Sequence, residues 1–394
     1  MVDGEETQGR SPILWWRVGA IAGLQGAITL TWVLYGLYLP KLLTNMGLSA
    51  DLALNLLIIE HLLEAFIEPL CGHWSDRAFL HRGHRLIIIT VGVILASVFF
   101  ISLPAIALFQ NTTGIFVLLL PAMAIAWASA MAIFRSPALV LLNQTAPLNQ
   151  LPQAASLLTF TSQLIASFRF VAYGAILSLG PEFAFSLGSI VLLIALAFLR
   201  QHHPPQAPST PLVRTQKVKG LNLITVGITA IEIAWGLRFL GATLATVFKA
   251  QWGGAVAEWA MAGFFLTIAI ASLPAGAIAA RWSNRYSMVG GAIAAAIILL
   301  LFPSITSEIG LAMAAIALGC SFSFVLNGAI PYVLASVPTA NVGLGLGFYF
   351  GAFGAAMSFF DLLFTDLIAD DPMAIATKGV SALILVSCSV ALTE

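Results

Sequence analysis

Twelve separate stretches of this chain are apolar over about 20 residues, the length a helix needs to cross the hydrocarbon core of a bilayer. They run approximately over 17–39, 52–71, 86–109, 114–142, 154–179, 182–199, 221–248, 256–280, 287–306, 309–334, 341–368 and 373–392. A soluble fold cannot hide that much apolar surface. The chain is 60% hydrophobic and 9% charged, where a soluble domain carries about 25% charged residues. In hydrocarbon every backbone N–H and C=O must be satisfied within its own segment, so runs of this length are read as helices. The expected fold class is an all-α polytopic membrane protein with twelve transmembrane helices.

One segment interrupts the series. Residues 200–220 contain Pro204, Pro205, Pro208 and Pro211 together with Arg200, Arg214, Lys217 and Lys219. Proline at that density opposes both helix and packed core. The chain therefore divides into a tail (1–16), a six-helix half (17–199), a linker (200–220) and a second six-helix half (221–394). The positive-inside rule orients it. With the N-terminus in the cytoplasm, Arg10, Arg17, Arg77, Arg82, Arg85, Arg200, Arg214, Lys217, Lys219, Arg281 and Arg285 all fall on the cytoplasmic side, and Lys41 and Lys249 on the other. An even helix number then makes both termini cytoplasmic, in a multi-pass protein of the plasma (inner) membrane. The first apolar run is long and lacks the basic start of a cleaved signal peptide.

Several function classes are disfavoured. A formal net charge of zero argues against nucleic acid as a partner. Cys71, Cys320 and Cys388 have no metal-ligand spacing and frame no disulfide set. The glycine-rich run Gly343, Gly345, Gly347 is followed by no Lys-Ser/Thr, so it is no phosphate loop. The sequence holds no nucleophile–base constellation. No cofactor, no metal and no enzymatic activity are expected.

The informative residues are the ionisable ones inside the apolar runs, each costing about 2.5–3.5 kcal/mol unless paired, and each a functional-site hypothesis by default. Glu60, Glu64 and Glu68 recur at i, i+4 and i+8 and share one helix face. Arg135, Arg169, Glu232 and Arg238 are the others. Three acids (Glu60, Glu64, Glu232) and three arginines are expected to neutralise one another across a central cavity, either as ion-coupling groups or as static pairs. Glu68 is expected near the cytoplasmic interface. His61 is read as hydrogen-bonding a neighbour rather than binding metal. Gln25, Gln163, Asn327, Trp127, Trp235 and Tyr332 are candidates to line a polar pocket with aromatic faces, a composition suited to a sugar-like solute. Asp361 and Asp366, in the outer part of helix 11, are read as structural or substrate-binding with equal weight.

The halves echo one another. Gly72 precedes Arg77 by the same step as Gly276 precedes Arg281, with Pro69 and Pro274 just before. Internal repeats of this kind are common in transporters. Gly72-His73-Trp74-Ser75-Asp76-Arg77, then Arg82-Gly83-His84-Arg85, resembles the helix 2–3 signature of the major facilitator superfamily. Glu68-Pro69, the Ser-Asp-Arg form and Phe134-Arg135-Ser136-Pro137 are similar to its sucrose-transporter and glycoside–pentoside–hexuronide branches. The sequence departs from these branches at Asn143, where relatives carry Asp, and at Ala280, where the second-half loop lacks its Asp. The resemblance implies the major facilitator fold and a gate built on Gly72, Asp76, Arg77, Arg82 and Arg85, with Asp76 near the N-terminus of helix 11. It implies a monomeric secondary active transporter, moving a sugar- or glycoside-like solute by alternating access, with a proton ahead of sodium as coupling ion. The alternative left open is a membrane scaffold or assembly factor that keeps the fold without transport.

Overall fold

The computed structural model describes residues 13–82, 85–108, 117–203, 219–364 and 371–392, apart from the side chains of 80–82 and 361. Among these the chain is helical without a strand. The helices are α1 (Trp15–Asn45), α2 (Leu52–Arg82), α3 (Leu86–Ala107), α4 (Leu119–Val140), α5 (Leu151–Val171), α6 (Tyr173–Ser178) and α7 (Pro181–His202) in the first half. The second half holds α8 (Gly220–Trp252), α9 (Gly254–Arg281), α10 (Asn284–Leu301), α11 (Glu308–Ser336), α12 (Val342–Phe364) and α13 (Pro372–Leu392). Asp366, Gly83, His84 and most of the linker lie outside the described residues.

Eleven helices are long and apolar enough to cross a membrane. The expected twelfth is α2, whose 31 residues carry three glutamates and fall short on composition alone. It is not a surface helix: Glu60, Glu64 and Glu68 are buried in the bundle. Two expected boundaries are corrected. The stretch 72–82, beyond the end set for the second apolar run (52–71), continues α2 as helix. Its inner face is packed too tightly to unwind, with Gly72, Ser75 and Asp76 all buried. The fifth apolar run breaks at Ala172 into α5 and the short α6.

The packing repeats itself. In the first half α1 contacts α5 and α7, α3 contacts α4 and α7, and α2 contacts α4; in the second, α8 contacts α12 and α13, α10 contacts α11 and α13, and α9 contacts α11. The halves then meet through two matching pairs, α2 with α12 and α5 with α9. Small residues permit both, as is general where lipid supplies no hydrophobic drive between helices. Gly343, Gly347, Gly351 and Gly354 form one stripe of α12 lying on α2. A Cβ at Gly351 would stand 3.0 Å from the Ala65 carbonyl oxygen, and Gly347 lies closer still to the Glu68 backbone. On the other pair, a Cβ at Gly276 would meet the Pro152 carbonyl at 2.7 Å, and Ser272 Oγ donates to the Ser156 carbonyl at 3.0 Å.

Candidate functional site

The first feature is a latch between the halves. Asp76, near the end of α2, accepts hydrogen bonds from the Gly343 N–H at 3.0 Å and the Leu344 N–H at 2.9 Å. These are orphan donors of the α12 N-terminus, where the helix dipole also favours a carboxylate. Its cationic partner is Arg85, with Nη2 at 2.9 Å and the guanidinium over the Phe79 ring at 4.6 Å. Of the arginines named for the gate, Arg77 is exposed and has no ion pair among the described residues. The side chain of Arg82 lies outside them. The pair stands beyond the apolar part of α2, and both partners are nearly sealed, Asp76 2% and Arg85 3% exposed. Burial pushes the Asp76 carboxyl up from its ordinary value, against the pull of Arg85 and the two amides. The same burial pushes Arg85 down.

About two to four and a half helical turns further in lies an acidic cluster. Arg135 of α4 donates from Nε to Glu68 at 2.7 Å and from Nη2 to Glu64 at 3.1 Å, and its guanidinium lies 4.7 Å from the Phe350 ring of α12. One cation thus ties two acids of α2 and touches the second half. Glu68 is fully buried, not interfacial as expected. Glu60 joins no ion pair among the described residues; Tyr35 of α1 donates its hydroxyl to it. Around Glu60, the Trp32 ring stacks on His61 at 5.9 Å and tilts against Trp127 at 4.7 Å. The indole Nε1 atoms of Trp32 and Trp127, His61 Nδ1, and the Gln25 and Gln163 Oε1 atoms are buried without a hydrogen-bond partner. His61 therefore lacks the expected hydrogen bond at that nitrogen, and the described residues hold no group of three metal-ligating side chains.

The expected neutralisation of three acids by three arginines is not what the structure contains. Among the described residues Arg135 alone forms ion pairs with glutamates, and one of its two is Glu68 rather than Glu60. Glu232 accepts from Ser389 Oγ of α13 at 2.6 Å and forms no ion pair among the described residues. Arg238 lies over the Phe360 ring of α12 at 4.8 Å. Arg169 has no ion pair among the described residues. Asn327 is drawn away from any pocket, donating to the Pro152 carbonyl across the α11–α5 contact at 3.1 Å. Trp235 is likewise engaged, donating to the Ala356 carbonyl at 2.8 Å. Tyr35, Trp32 and the inward role of Glu68 were not singled out from sequence. The i+4 step from Glu64 to Glu68 was the available signal for the last, while tyrosine and tryptophan in apolar helices carry none.

Helix order, the repeated half and the α2–α12 latch define a twelve-helix protein of the major facilitator fold. Solved structures agree over nearly its whole length. The human organic anion transporter MFSD10 superimposes with a TM-score of 0.71 at 14% identity, covering 96% of this chain and 100% of that one. The proton:xylose symporter XylE gives 0.69 at 14% identity, with 96% and 94% covered. A bacterial homologue of the iron transporter ferroportin, in its outward-facing state, gives 0.71 at 13% identity, with 95% and 98% covered. No protein-family model matches the sequence, and no curated protein matches it.

Proposed function

We propose that this protein is a secondary active transporter working by alternating access, coupled to protons and carrying a small polar solute of sugar or glycoside type. The observation that carries the reading is the latch. A buried Asp76–Arg85 pair on one half holds a helix N-terminus of the other, so closure of the basic, cytoplasmic side depends on a contact that rocking of the halves would break. The described conformation is then the one closed to the cytoplasm.

Coupling follows from charge count. Glu60, Glu64 and Glu68 face one guanidinium in a membrane interior, and three ionised carboxylates cannot be sustained there against a single positive charge. Protonation is the chemistry that balances them, and a glutamate that loses and regains Arg135 as α12 moves changes its proton affinity between states. Glu232 offers the second half a carboxyl held only by a hydroxyl. The indole N–H groups of Trp32 and Trp127, which lack hydrogen-bond partners, suit solute hydroxyls, and the ring faces suit an apolar sugar face. Sugar symport is also what one fold neighbour, the proton:xylose symporter, performs.

The test is transport in proteoliposomes with an imposed pH gradient. Glu64→Gln and Glu232→Gln are expected to abolish uphill accumulation while leaving solute exchange measurable, since a neutral amide fixes the protonated-like state. Wild-type pH dependence in both variants would make these acids structural pairs. Co-purification with a membrane complex, with no response to any solute, would favour the scaffold reading.

A further inference from the structure

The two contacts between the halves match one another position by position. Before α12 the chain passes Pro338 (φ −58°, ψ 147°) and a short 3-10 turn, Thr339–Asn341. Before α5 it passes Pro147 (φ −59°, ψ 153°) and the same turn over Leu148–Gln150. Counted from the two prolines, Pro152 stands where Gly343 stands, and Gln153 where Leu344 stands. The facing helices keep this register. A Cβ at Gly72 of α2 would meet the Gly343 carbonyl oxygen, and a Cβ at Gly276 of α9 would meet the Pro152 carbonyl oxygen. The difference comes one turn beyond each glycine, at Asp76 in α2 and Ala280 in α9. In the first contact the Asp76 carboxylate sits on the amides of Gly343 and Leu344. In the second, Ala280 borders a cavity of about 770 Å³, lined also by Asn149, Gln150, Gln153, Arg281 and Ser283. None of its described lining residues is acidic. Arg281 is exposed and forms no ion pair among the described residues.

We propose that this cavity binds a small soluble oxyanion of the cytoplasm, with a carboxylate or phosphate head, which takes the place of the absent carboxylate and closes the α5–α9 contact as a second latch. This rests on the alternating-access reading and adds a regulatory ligand to its gate, apart from the transported solute. The chemistry of the walls selects the charge. The planar fork of Arg281 matches carboxylate and phosphate in bidentate fashion. The side-chain amides of Asn149, Gln150 and Gln153 offer neutral donors around it. Pro152 has no N–H to give, so the guanidinium and the side-chain amides replace the pair of backbone donors that Asp76 uses. The volume lies in the range of about 300–1,000 Å³ typical of small-molecule pockets, which leaves room for a polar body behind the charged head. The walls come from the start of α5 in one half and from α9 and the turn after it in the other. An anion held between them therefore binds the closed arrangement and loses half its contacts when the halves part. By linkage it lowers the population of the cytoplasm-open state. The gate then carries one latch built into the chain and one that depends on what the cytoplasm contains.

The reporter is Ser156→Cys in a cysteine-free protein held in phosphatidylcholine nanodiscs. Ser156 is 2% exposed and its Cβ lies against Gly276, so the thiol reacts with a maleimide when α5 and α9 part. Citrate and inorganic phosphate are the probes, with sodium chloride at matched ionic strength as reference. Either anion at about four times its Kd is expected to slow labelling about fivefold, and Arg281→Gln to remove the effect. Ala280→Asp supplies the carboxylate from the chain itself. It is expected to slow labelling with no anion present and to leave no further response to citrate. Slowing that survives Arg281→Gln, no slowing by either probe, or labelling of Ala280→Asp at the parent rate overturns the proposal. So does slowing seen only in discs that contain phosphatidylglycerol, which would make the ligand a lipid. Asp76→Asn separates the second latch from the gate. If Asp76→Asn speeds labelling while the anions do nothing, the second latch alone falls; if it leaves labelling unchanged, the gate reading falls with it. Should Ala280→Asp not fold, the Tm of the unmodified protein decides. A rise with citrate or phosphate, none with D-glucose, and loss of the rise in Arg281→Gln are expected. An equal rise in Arg281→Gln, or with glucose, overturns the proposal.

Discussion

At the scale of single residues, the latch concentrates the most free energy in the fewest atoms. Asp76 satisfies two helix-terminal amides and one nearly sealed guanidinium. Breaking a buried ion pair by removing one partner costs about 3–5 kcal/mol, largely because the other charge is left unpaired. Asp76→Asn is therefore expected to shift the population toward the cytoplasm-open state, raising the labelling of cysteines placed on that side of the cleft. Removing the stranded charge as well should recover part of the loss, so Asp76→Asn with Arg85→Gln is expected to be less open than Asp76→Asn alone. If the second substitution adds to the damage of the first, Arg85 is not the latch cation. Arg77, exposed and without an ion pair among the described residues, is the internal control: Arg77→Gln should leave labelling near the wild-type level.

At the scale of helices, the proposed gate rests on close approach as much as on charge. The α12 glycine stripe lets two helices touch along their backbones, which is what brings the amides of Gly343 and Leu344 within reach of Asp76. Gly347→Val is expected to force α12 off α2, because any β-carbon there meets the Glu68 carbonyl and the Pro69 backbone. The readout is the same cytoplasmic-side labelling, joined by a fall in Tm of several degrees. Gly174→Ala, where nothing lies within 4 Å of the added carbon, should change neither. A Gly347→Val protein with unaltered labelling would remove the α2–α12 contact from the gate. The matching α5–α9 contact has the close approach of Gly276 without the carboxylate. Ala280 there lines a polar cavity of about 770 Å³ with Asn149, Gln150, Gln153, Arg281 and Asn284. The two inter-half contacts are thus alike in backbone packing and unlike in charge.

At the scale of the whole molecule, the basic residues predict how the bundle lies in its membrane. The α9–α10 turn with Arg281 and Arg285 is expected in the cytoplasm, and the α1–α2 turn outside. Trp282, 83% exposed, and Ala50, also exposed, lie in these turns. Cysteines placed singly at the two positions should react with a membrane-impermeant reagent from opposite sides of the bilayer. Reaction from one side for both would overturn the orientation, and with it the assignment of the latch to the cytoplasmic face.

What the sequence determined by itself was everything that depends on local period and length. Twelve apolar runs, the division at 200–220 and three glutamates on one helix face could all be read before any helix was placed beside another. Residue spacing along a helix settles which side chains share a face, and segment length settles what can span a bilayer. What only the tertiary structure decided was partnership between helices. Asp76 chose Arg85 over its neighbour Arg77, Arg135 chose Glu68 along with Glu64, and Tyr35 took Glu60. Those choices depend on the rotation and axial offset of packed helices. In a membrane these are set by where glycine and serine allow close approach across the whole bundle, not by any interval within one segment.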